Sequence, residues 1–76
     1  MAYDLQRASD LVLALMQLGL HEGSRTWKGY DWVVLDDLFE RGLITDPKSK
    51  AKSVVLTDEG MALSRAMAAK YLEAAV

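Results

Sequence analysis

Residues 38 to 44 read Leu-Phe-Glu-Arg-Gly-Leu-Ile; a lysine-rich stretch follows, and residues 54 to 60 read Val-Val-Leu-Thr-Asp-Glu-Gly. This order constrains the chain more than any other feature. Gly42 fits the left-handed residue just past a helix, with Leu43 folding back onto Leu38 in a Schellman-type contact. Ile44-Thr45 then begins a short strand. Asp46-Pro47 breaks it, because proline has no amide for a ladder and Asp-Pro favours a turn. Lys52 to Leu56 can return antiparallel. Thr57 caps a last helix, with Asp58 and Glu59 placed where the helix dipole favours acids. The second half therefore reads as helix, basic hairpin, helix.

With 76 residues the chain is read as one domain spanning 1–76, and at this size nearly every large apolar side chain is needed for the core. Half the residues are hydrophobic (51%), so a core can form without the disulfides that the absence of cysteine forbids. Thiolate metal sites are excluded for the same reason. The apolar run Leu11 to Leu18 falls well short of the roughly 20 residues that span a bilayer, and the N-terminus lacks the pattern of a signal peptide. A cytoplasmic protein without membrane contact is the expectation.

The net charge of −2 argues against nonspecific polyanion binding as the main role. Its distribution is more informative. Residues 36 to 46 set Asp36, Asp37, Glu40 and Asp46 against Arg41 alone, whereas residues 47 to 56 hold Lys48, Lys50 and Lys52 and no acid. An acidic helix adjoins a basic hairpin. In an extended stretch the three lysines project to one side and line one edge of that hairpin.

Asp4 is read as the N-cap of the first helix, whose Leu5, Ala8, Leu11, Val12, Leu15, Met16 and Leu18 follow the helical period. Leu13 and Ala14 widen the apolar face beyond one stripe. Gly19 and Gly23 are equally good stops, and the end is placed between them. From Gly23 to Tyr30 the chain reads as a loop with one helical turn, capped by Ser24 and broken at Gly29. Asp31 caps the second helix, and Tyr30 with Leu35 forms a hydrophobic staple. Trp32, Leu35, Leu38 and Phe39 are expected to face inward and Asp36, Asp37, Glu40 and Arg41 to face water. On the last helix Met61, Ser64, Ala68, Tyr71 and Ala75 mark one face, with Leu63, Met67 and Leu72 beside it.

The stretch Leu18-Gly19-Leu20-His21-Glu22-Gly23-Ser24-Arg25-Thr26-Trp27-Lys28-Gly29-Tyr30-Asp31-Trp32, with Gly42-Leu43-Ile44 and Asp46 to Gly60, resembles a family of small bacterial proteins known only as domain of unknown function six-four-two-nine. The Trp-Lys-Gly-aromatic-Asp-Trp motif is its most specific part. The resemblance brings no activity with it. Members of that family tend to carry a basic residue and a histidine where this chain has Asp37 and Phe39, which makes this helix the more acidic.

Residues 31 to 73 also resemble winged-helix regulators of the multiple-antibiotic-resistance and phenolic-acid-repressor types. In those the helix before Gly-Leu-Ile enters the major groove and the hairpin touches phosphate. The resemblance implies a small winged-helix-like α+β domain of order α-α-β-β-α with a short basic β-hairpin. Two departures oppose carrying DNA binding across. The would-be recognition helix offers Asp36, Asp37 and Glu40 to a polyanion, whereas groove readers favour Arg, Lys, Asn and Gln. The segment from Leu20 to Tyr30 is too short and glycine-rich for a supporting helix.

Arg25, Lys28, Lys48, Lys50 and Lys52 are the candidate phosphate or partner contacts. A solvated hairpin edge that lysines keep from recruiting another strand is the simpler account, since three lysines neutralise only about three phosphates. Trp27, Tyr30 and Trp32 are candidate interaction aromatics around Lys28, although a small domain also needs such rings as core. His21 beside Glu22 is read as a surface or capping histidine, because one histidine and no cysteine leave the usual metal-ligand sets incomplete. No nucleophile elbow, phosphate loop or carboxylate pair is present. The expectation is a noncatalytic binding or regulatory module without cofactor or metal, homodimeric through its first and last helices, and contacting protein in preference to nucleic acid. The alternative is a dimeric DNA-binding transcriptional regulator using the basic hairpin.

Overall fold

Three polar side chains start the three helices. In the computed structural model, which describes residues 3–74, Asp4 accepts the Arg7 amide at 3.1 Å and opens α1, Leu5–Leu18. Asp31 accepts the Val33 amide at 3.0 Å and opens α2, Trp32–Glu40. Thr57 Oγ1 accepts the Gly60 amide at 3.0 Å and opens α3, Asp58–Tyr71. Each oxygen satisfies an amide that has no carbonyl one turn earlier. Two strands, β1 Arg25–Trp27 and β2 Ser53–Val55, complete the order α1-β1-α2-β2-α3.

This is the small α+β domain that the sequence implies, with a strand where a loop was expected. Residues 25–27 are not part of a helical turn. Glu22 and Gly23 both have positive φ (48° and 84°) and reverse the chain, so His21 and Arg25 exchange both backbone bonds at 2.9 and 3.2 Å. Thr26 and Trp27, strand-forming residues, are thereby aimed along β2. The pairing is antiparallel, with Arg25 opposite Val55, Thr26 opposite Val54 and Trp27 opposite Ser53. Ile44-Thr45, expected to begin a short hairpin strand, supplies an isolated bridge from Ile44 to Leu56 and a bond from the Thr45 amide to the Val55 carbonyl at 2.9 Å. β2 therefore has its main partner upstream of α2, and residues 47–52 are turn and bend, not strand.

The helix stop at residue 42 is as read from the sequence. Gly42 has φ of 75°, the Leu43 amide donates to Leu38 O at 3.0 Å and the Gly42 amide to Phe39 O at 2.9 Å, the paired bonds of a Schellman motif. Leu43 and Ile44 are thereby delivered into a core whose fully buried members include Leu13, Met16, Leu35, Leu38 and Val54. Tyr30 packs against this cluster at its edge, where the staple with Leu35 was expected.

α1 is rotated from the orientation expected: Met16 is buried and Ala8 and Val12 pack on the core as read, but Leu5, Leu11, Leu15 and Leu18 of the same stripe are exposed. The helix ends at Leu18 with Gly19 as its cap, not between Gly19 and Gly23. Ser9, Leu13, Ala14 and Met16 are buried, and Leu11, Leu15 and Leu18 face out. Apolar residues nearly encircle this helix, so periodicity alone names no unique inner face. Small residues decide it: α1 packs most extensively on α3, where Ser9 and Ser64 are both fully buried and Ser64 Oγ donates to Leu13 O at 2.7 Å. Bulkier side chains at that contact would hold the helices apart. On α3, Gly60 and Ser64 are buried, Met61, Ala68 and Tyr71 half-buried, and Leu72 exposed, while Ala75 lies outside the described residues. The domain is only 19 Å thick, about two layers of secondary structure. Every element therefore keeps a solvent side.

Candidate functional site

The outward face of α2 departs most from expectation. Nine residues long, the helix turns Val34, Leu35 and Leu38 into the core and leaves Trp32, Val33 and Phe39 outside, at 55%, 60% and 43% exposure. Trp32 and Phe39 are thus not the inward residues expected. Four apolar residues in succession, Trp32 to Leu35, subtend more of the helix circumference than one core contact can cover. Glu40 is exposed and Asp36 half-exposed on this side, and neither makes an ion pair among the described residues.

Asp37 and Arg41, expected to face water, are held in a partly buried cluster. Arg41 Nη2 bonds Asp10 Oδ1 at 3.0 Å, and Nη1 lies 3.5 Å from Asp37 Oδ2. The guanidinium sits at the C-terminal end of α2, where a cation complements the helix dipole, and it ties that end to α1. Its role is to fasten two helices. It is consequently not displayed to a ligand.

The candidate basic residues gather at one corner but differ in freedom. Lys28 Nζ donates to Pro47 O at 2.7 Å and Ser49 O at 2.6 Å, and its amide reaches Lys52 O at 3.3 Å. These bonds, with Asp46 Oδ1 accepting the Lys48 amide at 2.9 Å, shape the 46–52 loop and leave Lys48, Lys50 and Lys52 exposed on it. The lysines project from this loop, not from alternate positions of a strand. Arg25 Nη1 donates to Ser53 Oγ at 3.1 Å and Nε lies 3.8 Å from Glu22, so Arg25 is tied along the sheet.

The three aromatics separate. Tyr30 is half-buried, and burial pushes its phenol above the ordinary value of 10.0. Trp27 and Trp32 are more than half exposed, so they do not fill the core as the simpler reading held. Trp27 is an outward residue of β1, with Thr26 turned in, and its ring stacks on His21 at 4.6 Å between centroids. His21 Nδ1 donates to Gly19 O at 3.0 Å, which fits the capping role expected of it. An open cleft between the start of α1 and the end of α3 is lined by Asp4, Gln6, Arg7, Asp10, Lys70 and Tyr71. Its mixed charges favour no single ligand class.

Sequence reasoning missed Val33 as a surface residue and Lys28 as an organiser of the loop. The first carried a signal in the four-residue apolar run. The second carried none, because its acceptors lie 19 and 21 residues away. Among the described residues no helix is long and apolar enough to cross a membrane.

Comparison with known proteins bears out the family resemblance. The chain is 54% identical over 61 residues to the uncharacterized protein y4hR of Sinorhizobium fredii (strain NBRC 101917 / NGR234), an alignment covering 80% of this chain and 82% of that protein. No solved structure matches it. The model of the domain of unknown function DUF6429 matches residues 4–74, and the chain belongs to that family.

Proposed function

We propose that this domain is a noncatalytic cytoplasmic binding module that contacts another protein through the outward face of α2. One observation carries the reading: the helix that would enter DNA in a winged-helix regulator presents Trp32, Val33 and Phe39 with Asp36 and Glu40. Carboxylates there repel a phosphate backbone, whereas exposed aromatics are the side chains that anchor protein interfaces. A protein surface that is apolar at its centre and basic at its rim complements this face. The noncatalytic part is supported by His21, the chain's one histidine, which is committed to Gly19 and Trp27 instead of a nucleophile.

Photo-crosslinking from residue 36 in the native host tests the reading. A specific protein adduct is expected, and it should be lost in Trp32→Ala and Phe39→Ala variants that remain folded. The second reading, a dimeric DNA-binding regulator, rests on the corner where Lys28 gathers Lys48, Lys50 and Lys52. Tight, salt-steep binding of duplex DNA that the triple alanine variant at residues 48, 50 and 52 abolishes would replace the first reading with the second.

A further inference from the structure

We infer that the outer face of α1 is covered by the same face of a second copy, with the two helices antiparallel. This surface is separate from the α2 face and does not depend on its function. Leu11, Leu15 and Leu18, at 40%, 41% and 74% exposure, lie four and three residues apart on the side of α1 opposite buried Leu13 and Met16. That is the spacing of a coiled-coil seam. Leu11 to Leu18 covers about 10 Å of helix axis. Trp27 lies beside Gly19, 3.7 Å from where a β-carbon there would stand, and extends the exposed apolar surface at the end of the seam.

Charge identifies the occupant. Asp10 is the only Asp, Glu, Lys or Arg between Arg7 and Glu22, and it is bound by Arg41 of its own chain. A charged partner surface would therefore find no counter-charge along the seam and would lose hydration without compensation. A second leucine seam has no charge to desolvate and is self-complementary about a two-fold axis. The ends set the direction. Arg7 stands at the N-terminal end and Glu22, largely exposed although Arg25 Nε of its own chain lies 3.8 Å away, beyond the C-terminal end, so an antiparallel pair brings Arg7 to a carboxylate and a parallel pair brings Arg7 to Arg7. Leu11 of one copy then faces Leu18 of the other, and Leu15 lies close to the axis.

The three leucines alone are smaller than the roughly 800 Å² per partner of a standard interface, so the dimer should dissociate on dilution. Sedimentation equilibrium of the intact chain is expected to show dimer at concentrations on the order of 100 µM. Leu15→Glu should give folded monomer, and Leu18→Glu, at the most exposed of the three positions, gives the same outcome without risk to the core. Because the chain has no cysteine, disulfide trapping reports the direction: Leu15→Cys should crosslink to itself, and Leu11→Cys mixed with Leu18→Cys should crosslink to each other. A wild-type monomer at that concentration, a dimer that survives both glutamate variants, or selective self-crosslinking of Leu11→Cys and Leu18→Cys would each overturn the inference.

Discussion

Gly60 packs directly against the backbone of Leu43, so closely that a β-carbon at residue 60 would overlap the Leu43 carbonyl oxygen and carbon. The contact sets the first turn of α3 on the segment leaving α2. Thr57 secures it from both sides, its amide donating to Leu43 O at 3.1 Å and its hydroxyl to Gly42 O at 2.6 Å. Gly60→Ala should therefore destabilise the fold by roughly 2–3 kcal/mol, although alanine is the better helix former. Denaturant unfolding followed by circular dichroism measures it, and an unchanged midpoint would mean that α3 does not rest on Leu43.

Gly42 at φ of 75° has open space around its missing β-carbon, so its requirement is conformational and not steric. Gly42→Val should cost more than about 1 kcal/mol, and Gly42→Asn distinctly less because asparagine tolerates the left-handed region. Equal melting points for the two variants would contradict that cause.

Two buried serines should respond oppositely to alanine. Ser64 Oγ lies 2.7 Å from both Leu13 O and Gln17 Oε1, and its single hydrogen serves one at a time. Ser9 Oγ is buried with no hydrogen-bond partner. Ser64→Ala is expected to lose about 1 kcal/mol, and Ser9→Ala to be neutral or to gain up to about 1 kcal/mol by removing an unpaired hydroxyl. Calorimetric melting of both variants decides it.

The Arg41–Asp10 pair is about one-quarter exposed or less on each side, between the exposed and the buried regimes. A double-mutant cycle with Arg41→Met and Asp10→Asn should return a coupling of about 1–2 kcal/mol. A coupling near zero would show that α1 and α2 are held by apolar packing alone.

Tyr30 should ionise later than an exposed tyrosine. With its folded pKa raised above 10.0, the unfolded chain loses this proton first as pH rises. The stabilising contribution is therefore complete below pH 10 and is lost as pH climbs through the folded value. Phenolate absorbance should show a late component that Tyr30→Phe removes. If the titration of that variant matched the wild type, burial would not control this phenol.

The local punctuation of the chain was legible because it depends on near neighbours. Asp4, Asp31 and Thr57 act within three residues, and the Gly42 stop within five, so each could be read without knowing what packs against it. The basic corner was partly legible as a set of residue types. Its shape was not, because Lys28 finds its acceptors across the β1–β2 pairing and not along the chain. The strand at residues 25–27 escaped for a related reason: three residues carry little period, and the positive φ of Glu22 that turns them onto β2 leaves no mark in its side chain.

The sequence by itself determined where the three helices begin, where α2 stops, that the family is DUF6429, and that charge separates into an acidic helix and a basic segment after it. Tertiary structure alone decided which face of each helix is hidden. In α1 and α2 apolar residues exceed what a domain about two layers thick can cover, and periodicity cannot choose among them. In α1 the close approach allowed by Ser9 and Ser64 makes that choice, burying Leu13 and exposing Leu11, Leu15 and Leu18.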